Sequence, residues 1–147
     1  MNNQQISRCG ELLLQYKLLL LGIETSLMKT GSGIDLVAYS SRNRKAYTIQ
    51  VKTNEKPMPS GENGRLKLAW WVPEDCPADL VAFVDLSSNR VWLFSTGEIP
   101  RYAQKKYRGR HNFYFDVDPA VDLQSGQPSH MVQFEDFNVE KRASVFF

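Results

Sequence analysis

Two hydrophobic rhythms alternate along the chain. Residues 5–21 contain no proline and a single glycine, Gly10, while Leu12, Tyr16, Leu19 and Ile23 recur near helical spacing. Leu13, Leu14, Leu18, Leu20 and Leu21 widen that face, so the segment reads as a largely buried helix. Glu11 sits in its first half, with Gln15 and Leu18 on the same side at i+4 and i+7. Gly22 supplies a stop, and residues 23–28 continue extended. The period then shortens. After the turn Lys29-Thr30-Gly31-Ser32-Gly33, residues 34–39 and 46–53 read as the arms of a β-hairpin joined by the polar loop 40–45.

Residues 55–65 hold two prolines, two glycines and four charges, which predicts a mobile surface loop. In 66–72, Leu66, Leu68, Trp70 and Val72 alternate with Lys67, Ala69 and Trp71, which leans towards a strand and leaves a short helix open. Pro73 and Pro77 bracket a turn. Residues 80–84 form an unbroken apolar run that reads as a strand buried on both faces, and 91–94 return antiparallel after the turn at 85–90. Residues 97–107 read as a helix with Ile99, Tyr102 and Ala103 inward and Pro100 in its first turn. Residues 112–117 read as a last strand and 125–128 as a loop. A final helix is expected over 134–147, docked through Phe137 and Val145. Together this is one mixed α/β domain over 1–147, a helix leading into a strand meander, with a core at 7–95, a basic helix and loop at 97–111 and a C-terminal extension at 118–147.

Composition narrows the function. Eighteen basic against sixteen acidic residues leave a net charge of +2, so binding through bulk basicity alone is excluded. Cys9 and Cys76 are far apart and the histidines are His111 and His130, so a structural zinc site lacks suitably spaced ligands, and a disulfide scaffold has no support. The longest apolar run is too short to cross a bilayer, and a soluble, cytoplasmic protein is expected.

Candidate chemistry lies in the hairpin. Along a strand Gln50 and Lys52 share one face while Ile49 and Val51 take the other, so a lysine stands in the middle of an otherwise core-forming strand. Pairing brings Asp35 alongside it, and the preceding helix lays Glu11 over the same edge of the sheet. Phosphodiester hydrolysis needs a hard cation to neutralise developing charge and to acidify water, and oxygen ligands suit Mg²⁺. Glu11 and Asp35 provide carboxylates, Gln50 and the main-chain carbonyl of Val51 provide neutral oxygens, and Lys52 provides a positive group for the water and the transition state.

In these residues the chain resembles the PD-(D/E)XK nuclease superfamily, which includes restriction enzymes, Holliday-junction resolvases and intron-encoded homing endonucleases. Asp35 matches its first half-motif, Gln50-Val51-Lys52 its second, and Glu11 the acid that the first helix often donates. Ile34 replaces the name-giving proline, and Gln50 stands where an acid is usual, which removes one negative charge. The resemblance covers about residues 7–53, with weaker support from 80–94. It implies a restriction-endonuclease-like α/β core, an N-terminal helix followed by a mixed β-sheet with flanking helices. It also implies an endonuclease dependent on Mg²⁺, or on Mn²⁺ in its place, that cuts DNA at a specific site or structure. The alternative is a weak or inactive nucleic-acid-binding module on the same fold.

Positive charge is concentrated where DNA would lie. Arg101, Lys105, Lys106, Arg108 and Arg110 fall close together among Tyr102, Tyr107 and Phe113, and Arg42, Arg44 and Lys45 sit at the hairpin tip. Trp70 and Trp71 offer base stacking or a place in the core or a subunit interface. Cutting both strands of a duplex calls for two sites, so a homodimer or higher homo-oligomer is expected.

Overall fold

In the computed structural model, which describes residues 1–61, 63–123 and 126–147, a long helix precedes two sheets. The elements are α1 (Asn3–Leu20), β1 (Glu24–Leu27), β2 (Leu36–Ser40), β3 (Lys45–Asn54), β4 (Met58–Ser60), β5 (Arg65–Pro73), β6 (Leu80–Asp85), β7 (Arg90–Ser95), α2 (Ile99–Tyr102), β8 (Lys105–Tyr107), β9 (Arg110–Asp116) and α3 (Val139–Phe146), with 3₁₀ turns at Thr96–Glu98 and Met131–Phe137. A five-stranded sheet has the order β1-β2-β3-β6-β7, and a four-stranded sheet the order β4-β5-β9-β8. No helix among the described residues is long and apolar enough to cross a membrane.

Both ends of α1 are closed by local chemistry. The Asn2 side chain accepts from the Gln5 amide while Gln5 Oε1 accepts from the Asn2 amide, a reciprocal N-terminal cap. At the other end Gly22 turns at φ 80°, and the amides of Gly22 and Ile23 donate to Leu19 and Leu18.

Only one stripe of the helix is buried: Gly10, Leu14 and Leu18, spaced four apart. Leu12, Tyr16, Leu19 and Leu20, expected inside, are 47–69% exposed. A helix lying on a flat sheet presents one side to it, and no other part of the described chain covers the reverse of α1.

The sheet is not a simple meander. Strand β3 pairs antiparallel with β2 but parallel with β6, Ile49 opposite Leu80 through Asn54 opposite Asp85. A parallel neighbour needs a long connection, and here it is β4 and β5, which leave the sheet and pair elsewhere. The expected loop at 55–65 is therefore partly a hairpin, Met58–Ser60 against Arg65–Lys67, while Glu62 lies outside the described residues. The strand reading of 66–72 holds.

Strand β6 divides two cores and is buried along its whole length. Leu80, Ala82 and Val84 join Leu14, Leu18, Ile49, Val139, Ala143 and Phe147 under α1 and α3. Val81 and Phe83 join Trp92 and Phe94 against Leu68, Trp70, Val72, Phe113 and Phe115 of the second sheet. The second core is aromatic, with Trp70 stacked on Phe83 at 4.9 Å and Phe115 on Phe134 at 4.3 Å.

The expected helix at 97–107 stops at Tyr102, and Lys105–Tyr107 pair with Arg110–Asn112 as β8 and β9. Arg108 and Gly109 link them with φ 49° and 75°, the positive pair that a tight two-residue hairpin turn requires. The segment 118–147 is no appendage, because Phe134 and Phe137 pack into the aromatic core and Phe147 into the other. Phe137 docks as expected, but Val145 is 61% exposed and Val139, Ala143 and Phe147 dock in its place. In the expected loop at 125–128, Ser125 lies outside the described residues.

Helix α1 crosses β3 at Gly10, where an added Cβ would overlap Thr53 Oγ1 and stand 2.8 Å from Thr53 Cβ. Alanine would gain about 1 kcal/mol of helix propensity, against about 1–3 kcal/mol for overpacking a strand that cannot withdraw. Gly10→Ala is expected to lower the urea midpoint, and a raised midpoint would contradict this close crossing.

Candidate active site

Four segments converge where β2 begins beside β3. Asp35, just ahead of β2, is held through its backbone: its amide donates to the Ile49 carbonyl at 2.9 Å, and its carbonyl accepts from Met28 at 2.8 Å. Its Oδ2 accepts the Val51 amide at 2.7 Å, which fixes the direction of the carboxylate and leaves it further lone pairs for a ligand. Ile49 and Val51 thus both turn their peptide groups towards the β2 edge. Because β2 begins opposite Ile49, the Val51 carbonyl on that edge faces no strand.

Gln50 is buried on the opposite face from Ile49, and its Oε1 accepts weakly from the Cys76 thiol at 3.5 Å. Gly33 turns beside Gln50 and Pro77 at φ 84°, a conformation that favours glycine, although a Cβ there would make only ordinary contact with them at 3.4 Å.

Lys52 lies two residues on, half-buried, with Nζ 4.1 Å from the centre of the Trp71 ring. The Arg110 guanidinium lies 3.8 Å from the same ring. Burial is the main influence on Lys52 and holds its pKa below the ordinary 10.5; Asp35 opposes the shift and Arg110 adds to it. Burial also pushes the Cys76 thiol up.

This register between the sheets has an identifiable clamp. The Asn54 side-chain amide donates to the Ala69 carbonyl at 2.8 Å, and its oxygen accepts the Ala69 amide at 3.1 Å. It does for β5 what a neighbouring strand would do. Lys52 and Trp71 lie two residues from the ends of this clamp, on the same sides of their strands.

The expected site residues are therefore brought together unequally. Asp35, Gln50, Val51 and Lys52 meet at one edge. Glu11 is on α1, over the face of β3 that carries Thr53, and it pairs with Arg8 at 3.2 Å. Among the described residues no three of His, Cys, Asp or Glu gather as a metal cluster. The available donors at the edge are one carboxylate and neutral oxygens, an all-oxygen set that fits a hard divalent cation and is poor in negative charge.

The basic residues separate as well. Arg42, Arg44 and Lys45 are at the other end of β3, roughly 20 Å from Lys52 at 3.3 Å per residue. Arg42 there donates to the Ser144 carbonyl, and Asn43 to that of Phe146, closing the end of α3. Lys106 pairs with Glu74 at 2.6 Å, which holds that carboxyl below its usual range. Arg101 lies over Tyr102 at 5.7 Å.

Trp71, Arg110, Cys76 and Asn54 are the neighbours that sequence reasoning did not place here. Trp71 left a signal, since the alternation in β5 that buries Trp70 turns Trp71 outward. Arg-Gly between two β-prone runs was the signal for the hairpin that delivers Arg110. Cys76 and Asn54 left none.

Neither a protein-family model nor a curated protein sequence matches the chain. Among solved structures it is similar to a bacterial homing endonuclease, I-Ssp6803I, with a TM-score of 0.64, 99% of this chain and 97% of the other covered, and 8% sequence identity. The mixed α/β fold, an N-terminal helix followed by multi-stranded sheets, is nuclease-like.

The shift at Lys52 fixes a sign. Its pKa is lower folded than unfolded, so at neutral pH the protonated lysine costs stability, and that cost is relieved as pH rises towards 10.5. Lys52→Met should melt no lower than the unsubstituted protein at pH 7, with any advantage shrinking towards pH 10.5. Clear destabilisation at pH 7 would mean that the ammonium is held favourably.

Proposed function

We propose that this chain is a metal-dependent DNA endonuclease of the PD-(D/E)XK type. The observation that carries the reading is Lys52, a half-buried lysine held against its own burial cost beside Asp35 and Trp71. Structural lysines rarely take such a place, whereas a phosphoryl-transfer site uses one. The likeness to a homing endonuclease over nearly the whole length supports the same reading.

Mg²⁺, or Mn²⁺ in its place, would be held by Asp35, Gln50 and the Val51 carbonyl; Glu11 would add a second carboxylate only by leaving its pair with Arg8. When bound it would supply charge neutralisation at the phosphate and a more acidic water. The chain's own groups do the rest. Asp35 is fixed by the Val51 amide, so its carboxylate is presented in one direction. The Lys52 ammonium, poorly solvated and anchored on an aromatic face, stabilises negative charge developing on a phosphate oxygen. As the neutral amine, which burial favours, it takes a proton from the attacking water.

A second copy belongs to the same reading. The strands of a duplex run antiparallel, so two equivalent sites that cut both in one encounter are related by a two-fold axis. The exposed stripe Leu12, Tyr16, Leu19 and Leu20 of α1 gives two copies a contiguous apolar surface to share.

Supercoiled plasmid incubated with Mg²⁺ or Mn²⁺ should be nicked and linearised, and Asp35→Ala or Lys52→Ala should slow this by about a hundredfold or more. Gln50→Glu should lower the metal concentration needed for half-maximal cutting. Unchanged cutting by the alanine variants refutes the site, and DNA binding without any cutting leaves only a binding module. Light scattering should give at least a dimer that Leu12→Glu with Leu19→Glu converts to a monomer; a monomeric unsubstituted protein would remove the second copy.

A further inference from the structure

The strand β9 turns His111, Phe113 and Phe115 into the aromatic core, so Arg110, Asn112 and Tyr114 face outward. Residues paired directly across strands share a face. Lys105 and Tyr107 of β8, opposite Asn112 and Arg110, therefore face outward too, as do Trp71 and Ala69 of β5, opposite Asn112 and Tyr114. Trp71, Asn112 and Lys105 form one row across the sheet, and Pro73, Arg110 and Tyr107 the next.

This face holds its cations in an unusual way. Lys105 lies 5.8 Å from the Tyr114 ring centre, Arg108 5.1 Å from that of Tyr107, and Arg110 3.8 Å from that of Trp71. None of the three has a carboxylate partner among the described residues, whereas Lys67 and Lys106, beside them, are paired with Asp116 and Glu74. A carboxylate orients a cation and cancels its charge, while a neutral ring orients it and leaves the charge in place. Three oriented, uncancelled cations on one hairpin suit a polyanion with evenly spaced charges. A recess of about 520 Å³ lined by Lys105, Lys106, Tyr107, Asn112 and Tyr114 opens on the same face. The row ends at Trp71, where Lys52 also sits.

We propose that the outer face of the β8–β9 hairpin is the surface that grips duplex DNA, with Arg110 on the backbone next to the phosphate to be cut and Asn112 and Lys105 turned towards the base edges. A two-stranded ribbon fits the width of the major groove. Asn112 carries both a donor and an acceptor, as base reading requires, and the flanking cations position it. This rests on the endonuclease reading for the direction in which the DNA runs, but it concerns binding alone.

The test is a titration of the full chain with fluorescein-labelled duplex DNA of mixed sequence, followed by anisotropy in EDTA between 50 and 200 mM salt. Lys105→Ala with Arg110→Ala should weaken binding by about tenfold or more and reduce the slope of log affinity against log salt by roughly 0.9 for each phosphate that is no longer neutralised. Lys17→Ala with Lys141→Ala, two cations on α1 and α3 across the five-stranded sheet, removes the same charge and should change neither quantity. Circular dichroism melting of both double variants guards against misfolding. Unchanged affinity in the hairpin variant, or an equal loss in the helix variant, overturns the proposal. If the hairpin variant cuts plasmid as fast as the unsubstituted protein, the hairpin assignment fails and the endonuclease stands. Hairpin-dependent binding without cutting by any form has the opposite meaning.

Discussion

The parallel pairing of β3 with β6 is the constraint on which the rest of the molecule depends. Parallel neighbours cannot be joined by a tight turn, so the chain between Asn54 and Leu80 must travel. It forms β4 and β5, and β5 has its own partner in β9, so a second sheet is built over the first. That sheet covers Val81, Phe83, Trp92 and Phe94, which allows β6 to be apolar on both faces. It also lays Trp71 over Lys52. One choice of strand partner thus creates the second core and one wall of the candidate site.

Packing on the other face is set by a different restriction. Gly10 lets α1 meet β3 at the level of the backbone, which seats Leu14 and Leu18 in the core with Ile49. The same approach turns Leu12, Tyr16 and Leu19 away from the sheet. An apolar surface that would be costly in an isolated chain is then available to a second one. Burial also makes the charged form of Lys52 unfavourable at β3, beside Asp35 and Trp71.

Charge follows the same division. The sequence is close to neutral, but its basic residues fall into groups with separate fates. Arg42 closes a helix end, Lys67 and Lys106 are paired with acids, and Lys105, Arg108 and Arg110 stand on aromatic rings with no carboxylate partner among the described residues. Similarity to a homing endonuclease at 8% identity fits a fold held by strand order and two packed layers, which many sequences can satisfy.

What could be read from the sequence was local. Strand period placed Gln50 and Lys52 on one face, glycine marked the end of α1 and the turn before Asp35, and the alternation in 66–72 gave β5. These follow from backbone geometry repeated over a few residues. The wider hydrophobic face of α1 misled, because periodicity counts apolar positions without knowing how many neighbours will cover them. Residues 97–107 misled as well, because the partner that makes 105–107 a strand lies across the Arg108-Gly109 turn. Asn54 clamping Ala69, Cys76 against Gln50, and Arg110 sharing Trp71 with Lys52 join residues far apart in sequence. Such meetings have no local period, and only the tertiary fold decides them.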